Sequence, residues 1–344
     1  MLLENTERGL FCRPGNFYID PWKAVDFALL THAHSDHARW GCGKYLVAER
    51  GLNLFRERLG SAASIQTIPF GQTILLNGVT ISFFPAGHIL GSAQIRLEYR
   101  GEIWVVSGDY KIEADQTCDA FAPLRCDVFV TESTFGLPLY RWRPPAEIFS
   151  EINQWWRDNQ TKERASVLFS YSLGKAQRIL AELNGEIGPI FLHGAVAKFM
   201  PAYEQAGIRF PKWLRADPEN VSAARGQAII IAPPSAANTP WLRKFGDCST
   251  AFASGWMQIR GNRRRRGIDR GFVLSDHVDW PGLLQTIKAT GAETIWVTHG
   301  FTAPVVRWLR EKGWAAEEIA TRFGGQNEDE NSESSPTNLT DEQK

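Results

Sequence analysis

The stretch FALLTHAHSDH, residues 27–37, is the most informative segment of this sequence. A short apolar run leads into three histidines and an aspartate, which are His32, His34, Asp36 and His37. Side chains two residues apart on an extended segment point the same way, so His32 and His34 can bind one ion. Asp36 and His37 follow where the chain must turn, and they can face a second ion nearby. Imidazole and carboxylate together suit zinc, manganese or iron at an open catalytic site.

Three more ligand-type side chains stand near the ends of apolar runs elsewhere in the chain. FFPAGH ends in His88, IWVVSGDY contains Asp109, and IWVTHG contains His299. A single histidine at a strand end is more often a structural residue. Crowding three imidazoles and a carboxylate together without a metal would cost solvation free energy with no return. The pattern therefore predicts a metal centre assembled from distant segments.

The composition indicates a globular protein with a mildly basic body and an acidic tail. Of the 344 residues, 43% are hydrophobic and 22% are charged, as in ordinary soluble domains. The formal net charge is zero, but residues 326–344 hold six acids and one lysine, which leaves 37 basic and 32 acidic residues elsewhere. This excess is smaller than that of a non-specific DNA-coating protein. We expect the polar tail, 326–344, to be disordered.

The cysteines and the N-terminal segment bear on the compartment. The five cysteines are scattered, odd in number and form no CxxC pair, so they indicate neither a disulfide framework nor a thiolate zinc site. The segment MLLENTERGL lacks a basic region followed by an apolar stretch, and no run approaches about 18 apolar residues. We therefore expect a cytoplasmic protein without membrane contact, which argues against a secreted antibiotic-degrading enzyme.

The pattern of apolar runs changes twice along the chain, which predicts one domain interrupted by another. Short strand-like runs fill the first third and return after residue 270, with a hairpin signal at Asn77-Gly78. Between them, helical segments with apolar residues three and four apart alternate with buried-type strands. We predict a first domain split between 1–145 and 270–325, and an inserted α/β domain at 146–269.

In the order of its ligand-type residues the chain resembles the metallo-β-lactamase superfamily. That order is a strand-end Asp, HxHxDH, His, Asp and His, which here starts at Asp20 and ends at His299. The resemblance implies a four-layer αββα sandwich with two divalent metal ions, zinc or manganese, at the edge of its sheets. The implied ligand sets are His32, His34 and His88 for one ion and Asp36, His37 and His299 for the other, with Asp109 bridging.

Within that superfamily the chain resembles the β-CASP nucleases. Glu132 in TEST resembles the acid of their motif A, His277 in LSDHVDW their motif B, and His299 in THG their motif C. SYSLGKAQ, at 170–177, resembles the start of the β-CASP insert. The resemblance extends to about residue 325 and implies that the inserted α/β domain is a β-CASP domain.

One subgroup resembles the chain best, the bacterial ligase-associated DNA exonucleases. They are thought to act in DNA repair beside an ATP-dependent ligase and a helicase, which makes DNA the expected substrate. An RNA-processing β-CASP ribonuclease is the first alternative, because a motif C histidine is often associated with RNA-acting members. A thioester or lactam hydrolase and an inactive scaffold are further alternatives. The insert and motif B argue against the former, and the retained ligands argue against the latter.

The mechanism that these residues suggest is phosphodiester hydrolysis assisted by two metal ions. The ions, one of them bound by Asp36, lower the pKa of an attacking water and neutralise phosphate charge. His277 is the candidate general acid for the leaving oxygen, kept protonated by Glu132. The alternative for Glu132 is a structural role, as an exposed acid at a strand end or a neighbour of a helix N-cap.

Substrate contacts are predicted in the insert and in the basic run before motif B. The candidates are Ser170, Ser172, Lys175, His193, Arg260, Arg263 and Arg264. Hydroxyl, ammonium and guanidinium groups are typical phosphate contacts. A run of arginines is equally typical of a solvated loop, and a structural role is equally open for His193.

Overall fold

Three β-sheets and seven α-helices make up the part of the chain that the computed structural model describes, residues 1–217, 221, 224, 226–237, 239–259, 261–262 and 267–319. The helices are α1 (Leu52–Leu59), α2 (Pro145–Gln160), α3 (Lys175–Glu182), α4 (Gly194–Ala197), α5 (Met200–Gln205), α6 (Trp280–Thr290) and α7 (Thr302–Glu311). Within these residues no helix has both the length and the apolarity needed to cross a bilayer. Arg260, Arg263, Arg264 and the tail 326–344 lie outside the described residues.

The first sheet holds six strands side by side in chain order. They are β1 (Leu3–Thr6), β2 (Gly9–Cys12), β3 (Phe17–Ile19), β4 (Phe27–Leu29), β5 (Lys44–Ala48) and β6 (Ile65–Ile68). The first two pairings are antiparallel, and those from β3 to β6 are parallel.

The second sheet has seven strands in the order β19-β18-β11-β10-β9-β8-β7. They are β7 (Thr73–Leu76), β8 (Val79–Pro85), β9 (Ala93–Tyr99), β10 (Glu102–Val106), β11 (Val128–Ser133), β18 (Thr294–Gly300) and β19 (Ala315–Glu318). The predicted hairpin is confirmed, since Asn77 and Gly78 join β7 to β8 with φ values of 49° and 82°. Asn and Gly adopt this left-handed conformation at low cost.

The third sheet is built from strands of the predicted insert and from one strand directly after its predicted end at residue 269, and all of its strand pairs are parallel. Its strands are β12 (Ala165–Phe169), β13 (Ile190–Leu192), β14 (Trp213–Arg215), β15 (Ile229–Ala232), β16 (Cys248–Ala253) and β17 (Arg270–Phe272). The order is β14-β13-β15-β12-β16-β17. The first strand in sequence, β12, therefore lies inside the sheet with neighbours on both sides. In such sheets, ligands bind beyond the carboxyl ends of the strands near this point.

The first two sheets pack face to face around an apolar core. Phe17 and Leu29 of the first sheet belong to the same buried cluster as Phe83, Ile95 and Trp104 of the second. Helices α6 and α7 cover the outer face of the second sheet, while α1 and the insert helix α5 cover that of the first. The predicted α/β fold class, an αββα sandwich with an additional α/β sheet, is confirmed. The domain boundaries proposed above stay a prediction.

A candidate metal centre between the sandwich and the insert

The ligand-type residues of the sandwich stand where strands end at one edge. His32 follows β4, Asp109 follows β10, and His299 is the next-to-last residue of β18. Strands β10, β11 and β18 are parallel neighbours, so their carboxyl ends meet at the same edge. The sheet order thus brings together side chains that are up to 267 positions apart in the sequence.

Three imidazole nitrogens converge in the first set of residues. His34 Nδ1 lies 3.1 Å from His32 Nε2 and 3.1 Å from His88 Nε2. Two nitrogens bound to one tetrahedral zinc ion lie about 3.3 Å apart, given Zn–N distances of about 2.0–2.1 Å. The spacing of the three nitrogens therefore fits a shared cation.

In two of these rings, the nitrogen that points away from the other imidazoles, here called the outer nitrogen, indicates where the proton lies. His34 Nε2 lies 3.1 Å from the carbonyl oxygen of Leu173, and His88 Nδ1 lies 2.8 Å from that of Asp276. A carbonyl only accepts, so each of these nitrogens carries the proton and the inner nitrogens hold lone pairs. Lone pairs facing one another at such distances repel unless a cation lies between them.

Burial keeps four of the candidate ligand rings in the neutral form that binds metals. It lowers the pKa of His34 and of His299 to about 4, and it holds the pKa of His32 and His88 well below the ordinary value. His37 differs, because the carboxylates of Asp109, Asp36 and Asp20 outweigh burial and raise its pKa well above the ordinary value. Burial also raises the pKa of Asp109 to about 7, a shift that a neighbouring cation would reverse.

A second set of residues lies beside the first. His37 Nε2 is 3.7 Å from Asp36 Oδ2 and 3.5 Å from Asp109 Oδ2, and the ring of His299 stacks on that of His37 with centroids 5.1 Å apart. His37 Nε2 and Asp36 Oδ1 are buried without a hydrogen-bond partner. Buried polar atoms of this kind call for an ion or a water. The donor set fits a second divalent cation.

Asp109 lies between the two sets. Its Oδ2 atom is 3.4 Å from His32 Nε2 and 3.8 Å from His88 Nε2, in addition to its contact with His37. A carboxylate offers lone pairs on both oxygens. The Asp109 carboxylate could therefore contact an ion held by either set.

Asp20 supports residues of both sets through hydrogen bonds. Its carboxylate accepts hydrogen bonds from the Thr31 backbone N–H at 2.8 Å, the Thr31 hydroxyl at 2.6 Å and His37 Nδ1 at 2.8 Å. The Thr31 hydroxyl oxygen is in turn 3.1 Å from His32 Nδ1. One carboxylate thereby orients a ring in each set, an arrangement common around metal sites.

Gly108 gives the backbone the close approach that Asp109 needs. Its φ is +57°, and an added Cβ would lie 2.6 Å from Thr31 Cβ. We expect Gly108→Ala to lower the free energy of unfolding by about 3 kcal/mol, combining left-handed strain with overpacking. Urea denaturation measures this loss.

The matched control is Gly101→Ala, where φ is +85° and no atom lies within 4 Å of the added Cβ. We expect this variant to lose only about 1 kcal/mol, the cost of the backbone conformation. Equal losses in the two variants would contradict a close contact with Thr31.

Glu132 and His277 form a buried pair next to the cluster. His277 Nδ1 lies 2.9 Å from Glu132 Oε2, and Glu132 Oε1 accepts a hydrogen bond of 2.8 Å from the Tyr110 backbone N–H. Burial alone would lower the pKa of His277, but the Glu132 carboxylate outweighs it and raises that pKa to about 10. The ring of His277 is 4.7 Å from that of His88, so this imidazole lies beside the candidate metal ligands.

The insert forms the opposite wall of this site. A cleft is lined on one side by His34, Asp36, His88, Asp109 and His277, and on the other by Tyr171, Leu173, Lys175 and Trp256 from the insert. The loop after β12 supplies Tyr171 to Lys175. This is the crevice beyond the carboxyl end of the inner strand.

The predicted substrate contacts occupy different surroundings. Lys175 lies in the cleft wall, where its Nζ is 3.6 Å from Asp276 Oδ2 and 4.5 Å from the centre of the Tyr171 ring. Ser170 and Ser172 are buried in the same loop. His193 caps α4 by accepting a hydrogen bond from the Ala195 backbone N–H, and its ring packs on Trp241. These contacts favour the structural alternative for His193.

The groups that orient His34 and His88 could not be identified from the sequence. They are the carbonyl oxygens of Leu173 and Asp276, and the side chains of Gln177 and Arg178 hold the segments that carry these oxygens. Backbone oxygens leave no mark in a sequence, whereas the Asp that directly precedes His277 was a visible signal.

Two known proteins are similar to this chain in sequence. A protein of Opitutus terrae named "Probable DNA ligase" is 32% identical over 313 residues, which are 90% of this chain and 30% of that protein. "Endoribonuclease YSH1" of Saccharomyces cerevisiae is 28% identical over 190 residues, which are 52% of this chain and 24% of that protein. This chain thus spans less than a third of the length of either relative. No family model matches it.

Among solved structures, a protein of unknown function from Enterococcus faecalis V583 shares the fold. The TM-score is 0.58 at 11% identity, and the match covers 87% of this chain and 80% of that one. At this sequence identity the similarity concerns the fold alone.

Proposed function

We propose that the chain is a metal-dependent nuclease that hydrolyses phosphodiester bonds with two divalent cations. The observation that carries the proposal is the meeting of imidazoles and carboxylates in two adjacent sets on either side of Asp109, next to the buried pair of His277 and Glu132. The two ligand sets are His32, His34 and His88, and Asp36, His37 and His299. Zinc is the cation we propose first, since imidazole with carboxylate is a common zinc ligand set, and manganese is the alternative.

Two bound cations would supply a water of lowered pKa and positive charge next to the phosphate oxygens. The side chains of the protein orient the groups that would bind the cations. Asp20 and Thr31 fix the rings of His32 and His37, and the buried walls of the cleft exclude bulk water. The low dielectric of such a site strengthens every charge interaction within it.

His277 is proposed as the general acid. Its Nδ1 is engaged by Glu132 at 2.9 Å, so its Nε2 is the nitrogen left to donate a proton to the leaving sugar oxygen. The carboxylate of Glu132 keeps the ring charged until that donation. Because Glu132 is fully buried, its own charge is shielded from solvent and acts mainly on His277.

For the substrate we propose DNA, with the chain acting as an exonuclease in repair beside an ATP-dependent ligase and a helicase. The similarity to the Opitutus protein supports this proposal, because it covers 90% of the chain and that protein is named a DNA ligase. RNA cleavage is the second candidate. It is favoured by the similarity to "Endoribonuclease YSH1" and by the histidine at position 299.

One experiment separates these substrates. DNA and RNA oligonucleotides of the same sequence, labelled at the 5′ or the 3′ end, are digested side by side with Zn²⁺ or Mn²⁺. We expect successive shortening of DNA from one end. Cleavage of RNA alone would replace the DNA proposal with the RNA candidate, and cleavage of neither would reject the nuclease proposal.

Removal of the metal gives a direct prediction for the same assay. Dialysis against a strong chelator is expected to reduce cleavage at least about a hundredfold, because the attacking water loses its lowered pKa. Adding back Zn²⁺ or Mn²⁺ should restore the rate, whereas Ca²⁺ should not, since it prefers six to eight oxygen ligands. Full activity after verified removal of the metal would contradict the proposal.

A further inference from the structure

The insert supplies the outer contact of His34. The Leu173 carbonyl oxygen that accepts from His34 Nε2 at 3.1 Å lies in the loop between β12 and α3. Gln177, in the first turn of α3, locks this loop. Its side-chain oxygen accepts from the Gly174 backbone N–H at 2.7 Å, and its amide donates to the Ser172 carbonyl at 3.0 Å.

The insert also secures the outer contact of His88. The Asp276 carbonyl oxygen accepts from His88 Nδ1 at 2.8 Å. Arg178 of α3 holds this segment, because its Nη1 atom lies 2.9 Å from Asp276 Oδ1 and 2.6 Å from the carbonyl oxygen of Ser275. The same guanidinium reaches Asp115 at 3.2 Å, and Asp115 pairs with Lys111 at 2.6 Å.

These charges are buried. The side chains of Arg178, Asp276, Asp115 and Lys111 are at most 6% exposed. Removing one partner of a buried ion pair leaves the other charge uncompensated, which destabilises the local structure around that charge. The position of the 275–276 segment therefore depends on α3.

The rings of His32, His37 and His299 are held by contacts that do not involve the insert. His32 and His37 rest on Thr31 and Asp20, and His299 rests on the neighbouring Thr298 hydroxyl. All of these contacts come from the sandwich itself. Two of the three imidazoles of the first set thus depend on the insert, and neither imidazole of the second set does.

We propose that helix α3 of the insert is a positioning element for one metal site, the set His32, His34 and His88. Gln177 and Arg178 act through the carbonyl oxygens of residues 173 and 276, and they touch neither metal nor substrate. Loss of either side chain therefore weakens the ion of the first set while the ion of the second set is retained. This inference rests on the metal assignment of the proposed function.

The test compares Gln177→Leu and Arg178→Met with the wild-type holoprotein at graded, buffered free Zn²⁺ concentrations. Native mass spectrometry counts ions per chain, and anomalous scattering from crystals assigns the ion that is lost. In each variant we expect half-occupancy of the first site to need about 10–100-fold more free zinc, the usual effect of losing an outer contact of a ligand. Occupancy of the second site should not change.

Two controls accompany these variants. Arg143→Met removes an exposed arginine just before the insert, which pairs with Glu147 and Glu151 at 2.8 Å each, and it should bind both ions as the wild type does. Asp20→Asn loosens His37 directly and His32 through Thr31, so it should weaken both sites and shows how a non-selective change behaves. Arg178→Lys keeps the charge and provides a milder change if Arg178→Met does not fold.

The outcomes are distinct. Wild-type affinity at both sites in the α3 variants, or equal weakening of both sites, would overturn the inference. Selective loss of the first ion supports it, whatever polymer the protein cleaves. If the wild type binds two ions but cuts no nucleic acid, the proposed function fails and the positioning role stands.

Discussion

Asp36→Asn is expected to lower the rate of phosphodiester cleavage at least about a thousandfold, or about 4 kcal/mol of transition-state stabilisation. The buried Asp36 Oδ1 lacks a hydrogen-bond partner, and Oδ2 lies 3.7 Å from His37 Nε2. An amide keeps the shape of the side chain but removes the negative charge that would balance the second cation. The measurement is kcat/KM on a labelled oligonucleotide together with metal content, and we expect the second site to lose its ion.

The control for this change is Asp119→Asn. Asp119 is a partly exposed carboxylate that pairs with Arg50 at 3.3 Å on the surface, and such pairs contribute little. We expect wild-type cleavage and wild-type metal content. An Asp36→Asn variant with full activity would contradict the assignment of the site.

The second large effect is expected for His277→Ala. Loss of the general acid should lower kcat by about 10²–10⁴-fold while both ions stay bound, because His277 stands beside the ligands and is not counted among them. Turnover and metal stoichiometry are measured on the same preparation. A parallel loss of metal would instead make His277 a ligand.

Glu132→Gln removes the negative charge from the Glu132–His277 pair while keeping the shape of the side chain. Burial lowers the pKa of His277 and the Glu132 carboxylate raises it, so removal of the carboxylate lowers that pKa. The acid must be protonated to act. The alkaline limb of the pH–rate profile should therefore move to lower pH in Glu132→Gln, and an unchanged limb would exclude His277 as the general acid.

Much of the fold and the candidate ligands could be predicted from local signals. The apolar run before His32 is strand β4, and the Asn77-Gly78 pair forms the hairpin that it predicts. These features depend on residues near in sequence, where side-chain periodicity and turn preferences act directly. The arrangement of layers came from the resemblance, since strand order in a sheet leaves only weak local traces.

The contacts that orient the ligands could not be predicted. His34 meets the Leu173 carbonyl oxygen across 139 positions, and His88 meets that of Asp276 across 188. A backbone acceptor can belong to any residue type, so only the tertiary structure shows which one is used. Lys175 illustrates the same limit, because its pattern suggested a phosphate contact and the structure adds an ion pair with Asp276.

Anomalous diffraction from crystals of the purified protein, recorded at the absorption edge of its metal, would locate the bound ions directly. We expect two peaks on either side of Asp109, one bounded by His32, His34 and His88 and the other by Asp36, His37 and His299. A protein that holds no ion at these side chains, and gains none on soaking with Zn²⁺ or Mn²⁺, would contradict this expectation.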